Sequence, residues 1–199
     1  MKKVSIILLV LVMLLACVSC NKDKSGEMVA TYEEFMNTYN SCYKVAKLLG
    51  DDTVSPISVK NDDNFALTIN TINGSDIKVT EITSQSGSVT ESAGEETSDV
   101  DAEYRDISIT YKYTEGSDTT VKEGTLTVSG TYKHLYNATS ASLSRALRGN
   151  ESVSYDLTIN GKQYKLSYYL DYTSNKGYTS ASVNGKDVEL RLLNASRDY

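Results

Sequence analysis

The chain has 199 residues and a formal net charge of −6, with 40% hydrophobic and 23% charged side chains, a globular composition long enough for one ordinary domain. An acidic chain repels phosphate backbones, so the composition excludes nucleic acid as a natural partner. The palette is lopsided, with no Trp, two Phe, one Pro and fifteen Tyr, and it suits half-buried strands that keep one wet face.

Met1-Lys2-Lys3 forms a positively charged start, and Val4 to Ala16 is apolar except for Ser5. That run is shorter than the roughly 20 residues that span a bilayer and fits the apolar core of a secretory signal. Leu14-Leu15-Ala16-Cys17 follows, an apolar residue three before a cysteine and a small one just before it. It resembles the lipobox of bacterial lipoproteins. A second candidate, Cys17-Val18-Ser19-Cys20, lies three residues on. The resemblance covers only these first twenty residues. It implies a signal peptide over 1–16 (1–19 if Cys20 is the acceptor), diacylglyceryl transfer to Cys17 or Cys20, and palmitate-type acylation. Neither Val18 nor Asn21, the residues after the two acceptors, is the aspartate of inner-membrane retention. The resemblance therefore implies an anchor in the bacterial cell envelope, at the outer membrane. Residues 17–30 then read as a lipidated, polar tether, ahead of a single domain over 31–199.

The first element of that domain has both ends written in the sequence. Thr31-Tyr32-Glu33-Glu34 is a capping box, and Phe35, Tyr39, Cys42, Ala46 and Leu49 make one apolar stripe, so a helix is expected over 31–49. Gly50 is placed to turn left-handed after it. On that stripe Cys42 reads as a small core hydrophobe, although pairing with Cys20 stays open if Cys17 carries the lipid.

Beyond Pro56 the period changes to two. Strands are expected at 57–60, 65–72, 77–83, 103–114, 119–134, 152–159, 163–173, 178–183 and 187–193. Asn-Gly occurs inside three similar phrases, Thr71 to Val79, Thr158 to Leu166 and Ser182 to Leu190. It is the strongest short-range signal of a two-residue hairpin. Such a turn at Asn160-Gly161 sets Leu157 opposite Tyr164, Tyr155 opposite Leu166 and Val153 opposite Tyr168, all apolar on one face. At Asn73-Gly74 it would instead set Asn70 opposite Ile77, a mismatch. A β-bulge is expected near Glu123-Gly124, where the alternation slips. Residues 84–102 are rich in Ser, Gly and acid and read as a long mobile loop. Residues 139–148 read as a short helix.

No motif carries chemistry. His134 is the only histidine and, at the end of an expected strand, reads as a rim residue. Ser41-Cys42-Tyr43-Lys44 matches S-x-x-K but lacks the partner motifs of penicillin-recognising enzymes. Residues 51–103 hold 12 acidic and 2 basic side chains. Glu91, Glu95, Glu96, Asp99, Asp101 and Glu103 suggest a hard-cation site only if something fixes them. The expectation is therefore a mainly β fold. It is an antiparallel meander of about eight or nine strands, curled into a partial barrel or sandwich, with an N-terminal helix packed on it. The function expected is binding or interaction at the cell envelope, with a protein partner or with a small apolar ligand carried inside a barrel. No cofactor, metal or enzymatic activity is expected.

Overall fold

The computed structural model of the chain describes residues 29–50, 57–60, 63–93, 99–140, 147–171 and 180–188. They form two helices, α1 (Tyr32–Gly50) and α2 (Asp63–Asn73), and seven strands. The strands are β1 (Ile77–Ala93), β2 (Val100–Glu115), β3 (Lys122–Ser140), β4 (Leu147–Ile159), β5 (Lys162–Asp171), β6 (Ser180–Val183) and β7 (Lys186–Asp187). The strands make one antiparallel sheet in the order β1-β2-β3-β4-β5-β6-β7, an open meander with α1 and α2 on one face. The signal peptide, residues 17–28 of the expected tether with Cys17 and Cys20, and Glu95 and Glu96 lie outside the described residues. Ala30, expected as the end of the tether, is instead buried and bridged to Val188.

α1 begins as its capping box requires. The Thr31 backbone amide donates to Glu34 Oε2 at 2.7 Å, and the Glu34 amide donates to Thr31 Oγ1 at 3.1 Å. Phe35, Cys42, Ala46 and Leu49 are buried, joined by Val45, while Tyr39 is half-buried. Gly50 closes the helix and does not take a left-handed conformation. Cys42 is a free, fully buried thiol. The Ser41 hydroxyl donates to the Asn37 carbonyl within the helix at 3.0 Å.

The stretch expected as a strand over 65–72 is α2. Phe65 and Ile69, four apart, satisfy a helical period as well as a strand's, and both are fully buried. Phe65 packs edge-on against Tyr111 at 5.3 Å. Asn73-Gly74 is accordingly no hairpin. Gly74 has φ 62°, and the Ser75 amide reaches back to the Asn70 carbonyl at 3.3 Å, the six-to-one bond of a helix C-terminus. The mismatch of Asn70 with Ile77 is met by the Asn70 side chain. Asn70 Oδ1 accepts from the Ile77 amide at 2.9 Å and its Nδ2 donates to the Ile77 carbonyl at 3.1 Å. A side-chain amide stands in for a neighbouring strand. Residues 57–60 do likewise: they form no ladder, but the Val59 amide and carbonyl pair with the side-chain amide of Gln85 at 2.6 and 2.9 Å.

Residues 84–102 are a second correction. β1 continues to Ala93 and pairs with β2 from Ser84↔Thr110 to Ala93↔Val100, so most of the expected loop is hairpin and only 94–98 lie outside the described residues. Backbone ladder bonds hold this Ser- and Thr-rich pair, with Val89, Ala102 and Tyr104 as its buried side chains. Of the expected helix over 139–148, residues 139–140 and 147–148 are strand and 141–146 lie outside the described residues. β3 runs to Ser140, β4 starts at Leu147, and the two remain paired up to Ser140↔Leu147. Of the last expected strand, 187–193, Asp187 belongs to β7 and Val188 bridges to Ala30, while 189–193 lie outside the described residues.

The hairpins at Asn160-Gly161 and Asn184-Gly185 have positive φ at both turn residues, as type I′ requires. The register across the first is Leu157↔Tyr164, Tyr155↔Leu166, Val153↔Tyr168, as the alternation dictates. No bulge occurs near Gly124, where β2 and β3 pair without a shift. The Tyr111 ring lies so close over Gly124 that a Cβ there would fall 2.6 Å from it. The irregularities sit elsewhere. β1 shifts register at Val79/Glu81, Ile82/Ser84 and Ser86/Ser88, and β2 shifts against β3 between Tyr104 and Ile107. Gly87 (φ 98°), Asp106 (φ 48°) and Gly130 (φ 127°) lie near one level of three adjacent strands, a crease across the sheet. Bulges of this kind sharpen twist and re-aim side chains.

Both layers supply the core. Leu49, Phe65 and Ile69 from the helices meet Ile107, Ile109, Leu126, Leu157 and Ile159 from the sheet, each such side chain contributing about 1.5–3 kcal/mol when fully buried. The opposite face of the sheet is mainly polar, with Leu135 exposed on it.

Candidate functional site

Register places the helix-facing side chains in rows across the sheet. One row beyond the crease runs Glu91, Ala102, Tyr132, Tyr155, Leu166, Val183; the next runs Val100, His134, Val153, Tyr168, Ala181; a third holds Tyr136, Glu151 and Leu170. Ala102, Val153 and Tyr155 are buried, whereas Tyr132, His134, Tyr136, Glu151, Tyr168 and Leu170 are half-buried. Along these rows burial gives way to partial exposure, and β3 and β4 run on to Ser140 and Leu147. The rim so formed is the candidate site.

Its centre is the pair His134 Nε2–Glu151 Oε1 at 3.0 Å, with side chains 26% and 18% exposed. Glu151 stands opposite Tyr136 and diagonal to His134, within ordinary diagonal reach on one face of a sheet. The His134 ring lies between those of Tyr132 and Tyr136, at 6.5 and 6.3 Å. Tyr132 stacks on Tyr155 at 4.8 Å and 19°. From α1, Tyr39 stacks on Tyr43 at 5.6 Å and meets Tyr168 at 6.2 Å. Burial, then the neighbouring Tyr43 and Glu151, raise the Tyr39 phenol above its ordinary value. Burial also raises Tyr132, against a hydrogen bond from Tyr155 that lowers it. These phenols stay protonated at neutral pH and offer ring faces with neutral hydroxyls.

His134 is therefore not at a strand end. It stands within β3, half-buried and bonded to an acid. The sequence carries a signal for this, since Tyr132, His134 and Tyr136 alternate at period two. What it does not carry is Glu151, which reaches His134 only through the long β3–β4 pairing that the expected helix at 139–148 would have prevented. Chemically, the rim supplies aromatic faces, an oriented imidazole and a carboxylate. Among the described residues, its rows place no serine, threonine or cysteine beside His134.

The tyrosines of the strands serve this face and the core. Tyr104, Tyr111, Tyr113, Tyr132, Tyr136, Tyr155, Tyr164 and Tyr168 share the helix-facing parity, and only Tyr169 among the described strand tyrosines has the other. The acids of the former loop part company as well. Asp101 meets Lys133 at 2.9 Å and Glu103 meets Arg105 at 2.7 Å. Glu91 instead has helix-facing parity, and the Asp99 carboxylate accepts the Tyr136 amide at 2.8 Å. Among the described residues no group of three His, Cys, Asp or Glu side chains is gathered to hold a metal ion. No described helix is long and apolar enough to cross a membrane.

The comparisons add no relative: no family model, no curated protein and no solved structure matches the chain.

Proposed function

We propose that the chain is a lipid-anchored binding or interaction protein of the bacterial cell envelope. Its anchor would be Cys17, or Cys20, and its binding surface the rim around His134 and Glu151. The observation that carries the binding half is the contrast between the two faces of the sheet. On the outer face Lys112, Lys133 and Lys165 pair with Glu81, Asp101 and Asp156 at 2.8–3.1 Å, a self-neutralised surface of exposed bridges worth little energetically. On the helix-facing side, the half-buried Tyr132 and Tyr136 flank the His134–Glu151 pair. Rigid, amphipathic tyrosine area beside a few oriented polar groups is what recognition surfaces use. A carrier of apolar ligand would need an enclosed interior, and the described strands form an open sheet. The anchoring half is supported by the leader. Two or three acyl chains hold a protein stably on a bilayer where one does not.

Two experiments test the two halves. Metabolic labelling with an alkynyl palmitate in a bacterial host should mark the chain, and the label should vanish when both cysteines are replaced (Cys17→Ser, Cys20→Ser). Label surviving in the double variant would refute the anchor. For the rim, a small-fragment screen read by amide chemical shifts should gather its hits around Tyr132, His134, Tyr136 and Glu151. Hits spread evenly over the outer face would refute the site.

A further inference from the structure

Among the described residues β1 is a terminal strand of the sheet, bonded to β2 on one side only. An open edge is a template for another strand, and proteins guard it with bulges, side-chain blocks or charge. β1 is guarded along its first part. The Asn70 amide occupies both outward groups of Ile77, and Gln85 holds Val59 beside the edge. All three register shifts of the β1–β2 pair fall between Val79 and Ser88. From Ser88↔Arg105 to Ala93↔Val100 the pairing is regular, and no described residue pairs with the free edge there. This stretch contains no proline, lysine or arginine, and Thr90, Glu91 and Ser92 are exposed.

We infer that the free edge of residues 88–93 accepts an extended partner segment, with a basic side chain opposite Glu91 and an apolar one opposite Val89. This rests on the reading of the chain as an interaction protein but not on the rim. The chemistry of the partner follows from the face. Val89 is buried and Glu91 is two residues on with the same parity. Glu91 has no ion-pair partner among the described residues. An added strand places its own alternate residues beside these two, so the matching pattern is apolar, any residue, basic. A second copy fits poorly. The two-fold registers that overlap 88–93 most fully set Glu91 against Glu91 or against Val89, a like-charge pair or a carboxylate against an apolar neighbour.

The test uses the full mature chain, with Cys17→Ser and Cys20→Ser to keep it in solution. The probe is the peptide Thr-Val-Thr-Lys-Thr-Val-Thr, which reads the same in both directions and so suits a parallel or antiparallel addition. Its counterpart carries Glu in place of Lys. The Lys peptide should slow hydrogen exchange of alternate amides within 88–93 and bind at least about tenfold more tightly than the Glu peptide, the scale of a close charge pair. Glu91→Lys should reverse that preference. A preference that Glu91→Lys leaves unchanged, or protection that falls elsewhere, overturns the inference. Concentration-dependent dimerisation that protects 88–93 without peptide also overturns it, in favour of a second copy. Shifts at His134 and Tyr136 report on the rim separately, so either reading can fail alone.

Discussion

At the scale of the residue, the backbone is most tightly constrained where strands crowd. Gly130 sits at φ 127°, and a Cβ there would overlap the Asp156 carbonyl oxygen of β4. Gly116, at φ 53°, has open space around it. Gly130→Ala should therefore cost at least about 3 kcal/mol, combining backbone strain with overlap, and Gly116→Ala about 1–2 kcal/mol for the left-handed conformation alone. Urea melts of the two variants separate these; equal losses would show that the crease does not depend on close approach. Cys42 makes the complementary case of a buried group. Burial pushes its thiol up to about 12, so the reactive thiolate is scarce at pH 8. A thiol reagent should modify it in step with unfolding. Rapid labelling of the native chain would place the α1 stripe in solvent.

At the scale of the element, the Asn-Gly turns do more than reverse the chain. Asn160 donates its amide to the Thr127 carbonyl at 2.9 Å and accepts the Thr127 amide on Oδ1 at 2.9 Å. Asn184 does the same with Lys165, at 2.7 and 3.1 Å. Each turn thereby fastens its hairpin to the preceding strand. Asn160→Gly keeps the turn geometry but drops the Oδ1 bond, so it should cost about 1 kcal/mol in a denaturant melt. A neutral result would mean that the turn geometry alone matters. The β1–β2 hairpin leads to a prediction opposite to the one its composition suggests. Removing 84–102 takes away Val89 and Ala102, both buried, and β1 from Ser84 to Ala93 together with the first residues of β2. The shortened chain should lose its cooperative transition, and limited proteolysis of the native chain should spare 84–93. Facile cutting there would return the segment to a loop.

At the scale of the whole molecule, the core keeps protons that the unfolded chain would release. A free thiol ionises near 9.0 and a phenol near 10.0, and burial raises Cys42, Tyr104 and Tyr155 well above those values. Between the ordinary and the raised values the folded chain binds more protons than the unfolded one. Stability must then fall as pH rises from about 9, by up to about 1.4 kcal/mol per pH unit for each group so split. Tyrosine absorbance should register a cooperative step that coincides with loss of the far-ultraviolet sheet signal. Smooth ionisation near pH 10 with the sheet intact would contradict the burial of Tyr104 and Tyr155.

The sequence alone determined the features whose causes are local. The α1 start lies within four residues of capping box, and the β4–β5 register follows from a two-residue turn and an alternation that a one-residue slip would turn inside out. The mainly antiparallel architecture with one polar face was legible for the same reason. Tertiary structure decided what depends on distant partners. Residues 63–73 satisfy both periods, and the contact of Phe65 with Tyr111 together with the Asn70 clasp on Ile77 accompany the helix. Residues 84–93 have too few apolar side chains to announce a strand, and their ladder bonds come from β2. His134 and Glu151, 17 residues apart, meet only because β3 and β4 extend far beyond the point where their hydrophobic alternation fades. Short-range geometry is written in neighbouring side chains, whereas backbone pairing uses groups that every residue carries and that no sequence pattern displays.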